Sequence, residues 1–202
     1  MIPLIVALFG SYLIGSFPTG FLLVKWLKRV DLRAVGSGNI GATNVGRVAG
    51  VWASALVFVM DAAKGVLAIL VIAPRVLSSP HPAAVFACGL AAVLGHTFPL
   101  FLHFKGGKGV ATTIGVLLSA MPLAGMVSLL VWAVCLIIWR YVSVGSLAAA
   151  ISIPLAQLIL RRSPAETLLG VALALLIVFR HRANIDRLRH GTEPRVGQHH
   201  RT

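Results

Sequence analysis

Residues 51–73 read VWASALVFVMDAAKGVLAILVIA, twenty-three positions of which only Asp61 and Lys64 are charged. A helix of about 20 apolar residues crosses roughly 30 Å of hydrocarbon, so this stretch is long enough to span a bilayer. Asp61 and Lys64 are three residues apart and share one helix face. Ionisable groups at membrane depth are costly and count as functional candidates by default. An internal ion pair would satisfy both, and on that reading changing either one harms folding more than substrate affinity.

The rest of the chain has the same character. Of 202 residues 58% are hydrophobic and 11% charged, a balance that excludes a water-soluble globule. Apolar stretches cover 2–24, 51–73, 83–102, 110–121, 122–139, 142–160 and 165–179. They predict an all-α integral membrane protein with seven transmembrane helices. The segments 110–121 and 165–179 are short for a crossing, and a re-entrant segment is the alternative reading of the first. Pro122 suits the start of a helix and not its interior, so 110–140 reads as a short helix, a turn and a second helix.

The first stretch has no positive residue before it and no small-residue cleavage pattern after it, which argues against a removable signal peptide. Lys25, Lys28, Arg29 and Arg33 follow it, placing the N-terminus outside and 25–50 in the cytoplasm. With seven crossings, 14 of the 18 Lys and Arg residues fall in cytoplasmic segments and three, Arg75, Arg161 and Arg162, in outer loops. The expected organisation is a membrane catalytic domain over 1–182, with cytoplasm-facing loops at 25–50, 95–112, 140–146 and 180–188. A basic cytoplasmic tail covers 183–202, its C-terminus inside the cell.

A net charge of +13 raises the possibility of nucleic acid. The cations are instead divided among membrane-flanking loops with no soluble nucleic-acid module, so anionic lipid and phosphorylated substrates are the better partners. Cys88 and Cys135 read as small apolar side chains in separate stretches. His199 and His200 read as a solvated tail. No cluster suggests a metal or an organic cofactor.

Three constellations carry the chemistry. The first is Ser37-Gly38-Asn39-Ile40-Gly41-Ala42-Thr43-Asn44-Val45-Gly46-Arg47. Its small residues permit tight turns and expose N–H groups, its hydroxyls and amides add neutral donors, and Arg47 adds a two-pronged cation. The same composition also describes a Gly-rich interhelical turn with an Asn or Ser cap. The second joins Gly95-His96-Thr97-Phe98-Pro99 to Phe104-Lys105-Gly106-Gly107-Lys108-Gly109-Val110-Ala111-Thr112. Glycines and two lysines lead straight into a predicted helix, which favours an anion. It is not a Walker A loop, because Gly109 follows Lys108 and the glycine spacing is wrong. The third is Arg180-His181-Arg182-Ala183-Asn184-Ile185, in which His181 and Asn184 would share one face of a continuing helix. A basic cluster there also satisfies the positive-inside rule.

Together these stretches resemble the acyl-phosphate:glycerol-3-phosphate acyltransferase (PlsY) family over nearly the whole chain. They match its SGNxGATNxxR pattern at 37–47, its GHxFP and FKGGKGVAT patterns at 95–112, and its RHRxNIxRL pattern at 180–188. The resemblance implies transfer of a fatty acyl group from acyl phosphate to the first hydroxyl of glycerol 3-phosphate. The products are 1-acyl-glycerol 3-phosphate (lysophosphatidic acid) and inorganic phosphate. It implies an acyl-phosphate site at Ser37, Gly41, Thr43 and Gly106 to Gly109, and a glycerol-phosphate site at Arg47, Lys108, Ser146, His181 and Asn184. Gly38, Asn39, Asn44, His96, Lys105 and Thr112 complete the substrate-binding set. Ser37, Arg47, Lys108, His181 and Asn184 would be catalytic. Ser146 could equally bond a backbone carbonyl. A helical membrane protein of this size can work as a monomer, and the resemblance implies the bacterial inner membrane and, as a candidate partner, the soluble enzyme that makes acyl phosphate.

His181 and Asp186 match the HxxxxD signature of acyl-CoA-dependent acyltransferases, but residues five apart on a helix do not face each other. The rest of that pattern is missing. An organic-phosphate transporter is the competing function. Against it, the polar motifs collect at the cytoplasmic side and no repeated half is visible.

Overall fold

The computed structural model describes residues 1–79 and 81–197, which leaves His199 and His200 outside the described residues. Among the described residues all regular structure is helical. The chain divides after Met121 into two compact units.

The first unit holds seven helices. Helix α1 is Ile2–Ser16 and α2 is Thr19–Lys28. The apolar stretch 2–24, expected as one helix, breaks at Phe17-Pro18, because proline lacks the N–H that would continue the ladder. Helix α3, Ala42–Ala49, follows a short 3₁₀ turn, Leu32–Ala34. Helix α4, Val51–Leu67, widens into a π turn over Ala68–Ile72 before α5, Ala73–Val76. Pro74 accounts for the wide turn, since it cannot donate to the carbonyl one turn back. Helix α6 is Pro82–Thr97, and α7 is Val110–Ala120.

The second unit contains α8 (Pro122–Trp139), α9 (Val142–Ile159), α10 (Pro164–Arg180) and α11 (Arg182–Arg189). Pro122 opens α8, as expected. Helix α10 begins with a full capping box, in which the Ser163 hydroxyl accepts from Glu166 N–H and the Glu166 carboxylate accepts from Ser163.

Five segments are long and apolar enough to cross a membrane: 2–28, 51–76, 82–102, 122–139 and 142–159. The pair α10–α11, bent by 56°, makes a sixth if taken as one span. The seventh expected crossing, α7, has 11 residues. At 1.5 Å per residue it covers about 16 Å, well short of the hydrocarbon thickness. Large apolar side chains such as Ile5, Leu56, Leu130, Ile137 and Leu175 point outward, as lipid-facing residues do. Trp26, Trp52 and Trp139 are exposed near helix ends, in the manner of interfacial anchors.

Glycines set the helix contacts in the first unit. A Cβ on Gly115 of α7 would lie 1.9 Å from the Ala62 carbonyl oxygen of α4, and one on Gly65 of α4 would lie 2.3 Å from the Thr112 oxygen of α7. Gly15 and Gly95 bring α1 and α6 together in the same way. Lipid supplies no hydrophobic drive between helices, so close backbone approach is what holds such pairs. Gly115→Ala is expected to push α7 from α4 at a cost of about 1–3 kcal/mol, read as a lowered thermal unfolding temperature in detergent.

Candidate active site

The loop before α3 is built around one side chain. Asn44, 1% exposed, accepts the Ser37 N–H on Oδ1 at 2.8 Å and donates through Nδ2 toward the carbonyls of Leu32, Val35 and Asn39 at 2.9–3.3 Å. Asn39 Oδ1 in turn accepts the Gly41 N–H at 2.9 Å. Gly36 and Gly38 adopt positive φ, and a Cβ on Gly36 would strike Asn44 Oδ1 at 2.2 Å. Leu32, Ile40 and Val45 anchor the loop in an apolar cluster with Val24, Val57 and Leu102. Ser37, Gly38, Thr43 and Arg47 are left at the surface. Thr43 and Arg47, four apart on α3, share a face. Asn39 and Asn44, expected among the substrate donors, thus have side chains engaged in shaping the loop.

Before the loop, Asp31 binds the Arg33 side chain, closest approach 2.6 Å, and its carboxyl is pulled down to about 2 by those bonds and that charge. Leu102 carries the second constellation into the same apolar cluster as Ile40 and Val45.

In that second constellation the chain turns at Pro99 and again at Phe104, whose N–H donates to Pro99 O at 2.9 Å. Gly106 and Gly107 then lie back over the end of α6. Gly107 N–H donates to His96 O at 3.0 Å. A Cβ on Gly106 would fall 2.2 Å from Pro99 Cδ, and one on Gly107 would fall 2.0 Å from His96 Nε2. Neither position has room for a side chain. Gly109, at φ +83, caps α7. Lys105 is exposed and Lys108 half-buried, flanking the N-terminus of α7. Backbone N–H groups, a helix N-terminus and two ammonium groups suit an anion. Thr112 is fully buried, and its hydroxyl has no hydrogen-bond partner among the described residues.

In the second unit α10 ends and α11 begins at His181, so the helix expected to carry His181 and Asn184 on one face bends between them. His181 is 2% exposed, with Nδ1 at 2.8 Å from Ile177 O. Asn184 Nδ2 donates to Glu193 Oε1 at 2.7 Å, and Arg187 Nε donates to Oε2 at 2.8 Å. Ser146 Oγ donates to Val142 O at 2.9 Å, the backbone-bonding alternative for that residue. Asp186, 70% exposed, stands 3.5 Å from His190, a neighbour one turn along. His181 Nδ1 stands on the Ile177 carbonyl while Asp186 faces His190.

Geometry and sequence agree with what the chain is similar to. It matches the glycerol-3-phosphate acyltransferase family over residues 5–191. The chain belongs to that family. Glycerol-3-phosphate acyltransferases of Synechococcus elongatus and Geotalea daltonii are 45% and 46% identical to it, covering 93% and 94% of this chain and 92% and 95% of their own. A crystal structure of PlsY (YgiH), an integral membrane glycerol 3-phosphate acyltransferase in its glycerol 3-phosphate form, is 41% identical, with a TM-score of 0.88 and 96% coverage of both chains. The lysophosphatidic acid form gives a TM-score of 0.85 at 37% identity.

Two features of this family member lay outside the sequence reading. The Asp61–Lys64 pair extends to His96, whose Nδ1 stands 3.6 Å from Asp61 Oδ1. Glu193, in the segment expected as a tail, is buried against Asn184 and Arg187, while Val196 exchanges backbone and guanidinium bonds with Arg140. An acid set among Arg187, Arg189 and Arg195 was the available signal for Glu193.

Burial works to raise the Glu193 carboxyl, but the Ser143 hydroxyl, the Asn184 amide and the Arg187 guanidinium outweigh it and hold it below the usual range. A depressed folded-state value means that the stabilisation is full above the unfolded pKa and is lost as pH falls through the folded one. The thermal unfolding temperature is therefore expected to fall from about pH 5 downward, and Glu193→Gln to be less stable at pH 7 with a flatter acid limb.

Proposed function

We propose that this family member transfers a fatty acyl group from acyl phosphate to the sn-1 hydroxyl of glycerol 3-phosphate at the cytoplasmic face of a bacterial inner membrane, the first step of phospholipid synthesis. The observation that carries it is the Gly106–Gly107 turn folded onto His96 and Pro99. It is a buried turn with no space for any side chain, and it leads from exposed Lys105 through half-buried Lys108 to the N-terminus of α7, the groups that suit an anion. The glycerol 3-phosphate and lysophosphatidic acid forms of PlsY support the acceptor and the product. The donor follows from the family resemblance.

In this reaction the acceptor hydroxyl oxygen attacks the acyl carbonyl carbon, the carbon–oxygen bond to phosphate breaks, and an ester forms. The hydroxyl proton passes to a phosphate oxygen, making the catalysis substrate-assisted. A mixed anhydride already has a good leaving group, so positioning and charge stabilisation outweigh any need for a protein nucleophile. Ser37, Gly41, Thr43 and the 106–109 loop hold the acyl phosphate. Arg47, Lys108, Ser146, His181 and Asn184 hold glycerol phosphate. Asn44 acts by fixing the loop that presents Ser37. With the N-terminus outside and α7 counted as a short seventh crossing, the three motifs face the cytoplasm.

The test is phosphate release by purified protein in lipid given palmitoyl phosphate and glycerol 3-phosphate, with palmitoyl-CoA as control donor. Release is expected to need both substrates and to fall about 100-fold or more in Lys108→Ala. Glycerol phosphate crossing sealed vesicles without turnover would instead indicate the transporter. Asp186→Asn is expected to keep most activity, measured in the same assay; near-complete loss with normal folding would restore the acyl-CoA reading. A pH–rate profile that follows His181 and disappears in His181→Asn, with binding intact, would assign the proton to the protein.

A further inference from the structure

A continuous set of contacts runs from the middle of a membrane helix to the glycine loop. Asp61 on α4 is 2% exposed, and its Oδ1 accepts from Thr19 Oγ1 at 2.5 Å and from Lys64 Nζ at 2.6 Å. His96 on α6 is 5% exposed, with Nδ1 at 3.6 Å from the same carboxylate oxygen. The opposite edge of the imidazole lies against the loop, where a Cβ on Gly107 would meet Nε2, and beside it Gly107 N–H donates to the backbone carbonyl of His96.

We propose that Asp61 is a positioning residue for the reaction: through His96 it fixes the seat of Gly106 and Gly107, and so the direction of the loop that receives a substrate phosphate. The proposal rests on the phosphate reading of that loop. A pair serving only to neutralise Asp61 and Lys64 is complete without an imidazole. Lys64 Nζ reaches Asp61, Thr19 and the Phe17 carbonyl, at 2.6–3.2 Å, which matches the three protons of an ammonium. The imidazole is a further member, and a buried carboxylate beside Nδ1 favours the ring orientation that turns this edge toward it. At 3.6 Å the contact is longer than a full hydrogen bond, and the burial of both groups leaves it weakly screened.

A misplaced substrate-positioning group is expected to cost on the order of tenfold or more. The experiment measures steady-state kinetics with palmitoyl phosphate and glycerol 3-phosphate, beside thermal unfolding, for wild type, Asp61→Asn, His96→Gln and the double variant. Asp61→Asn keeps the shape and one acceptor oxygen. The expected result is a KM for at least one phosphate substrate raised about tenfold, with kcat changed less. His96→Gln gives a similar rise, and the double variant is no worse than either single one. Unchanged KM values with a lowered kcat and unfolding temperature, or effects that multiply in the double variant, overturn the proposal. Should Asp61→Asn fail to fold, Asp61→Asn with Lys64→Met removes both charges together, and its KM rise decides the matter in the same way. Gly107→Ala separates the two ideas. If it leaves both KM values unchanged, the phosphate reading of the loop fails on its own account, whatever the coupling between Asp61 and His96.

Discussion

The Asp61 carboxylate is the constraint on which the first unit is arranged. An ionised carboxylate at 2% exposure is tolerable only with compensating partners. Thr19 supplies one from just after the break between α1 and α2, and Lys64 a second from the next turn of α4. Lys64 also donates to the Phe17 carbonyl at 2.6 Å, at the break that Pro18 makes. Broken backbone at membrane depth has to be satisfied within the protein, and this ammonium does it. The pair therefore holds the break open, and the break aims α2 toward the loop that carries Ser37 and Arg47. With His96 as the further member, both motif-bearing stretches of the first unit refer to the same buried charge.

Glycine solves one problem twice in this unit. Between helices, Gly65 and Gly115 let α4 and α7 approach until a single methyl group would overlap a carbonyl oxygen. At the loop, Gly106 and Gly107 let backbone settle onto Pro99 and His96 with the same closeness. In the helices the gain is dispersion and a fixed crossing. In the loop it is a rigid backbone turn, with Gly107 N–H held on the His96 carbonyl, that fixes how Lys108 and the start of α7 are presented. Because α7 is joined to the loop at Gly109, the tight α4–α7 contact also sets where the helix N-terminus lies.

Much of this was legible in the sequence, for definable reasons. Hydropathy finds segments that bury nothing but lipid contacts, so the long spans and the Pro122 boundary could be read directly. It does not see a break such as Phe17-Pro18, where both sides stay apolar, and it could not show that the α7 stretch forms only 11 helical residues. Motif composition found the loops, because an anion site needs small residues and donors together. It could not sort donors that face a substrate from donors that hold the loop. Asn44 looks like a ligand in the sequence and is a buried hub in the fold. The link from Asp61 to His96 joins positions 35 apart, and Glu193 reaches back nine residues to Asn184. Neither follows from spacing, since both depend on how elements pack.

The distribution of acids makes the same case from the opposite direction. The chain has five acidic residues against 18 Lys and Arg. Asp31 holds Arg33, Asp61 holds Lys64, Glu166 caps α10 and binds Arg162, and Glu193 holds Asn184 and Arg187. Asp186 alone is largely exposed, against an equally exposed histidine. Four of the five acids are thus spent on local architecture. The two acids next to proposed substrate residues, Asp61 at His96 and Glu193 at Asn184, are buried, with their charge met by Lys64 and Arg187. Carboxylates appear here where a loop, a helix end or a break has to be fixed. Eighteen Lys and Arg against five acids is an imbalance suited to a protein whose counterions arrive as lipid headgroups and substrate phosphates.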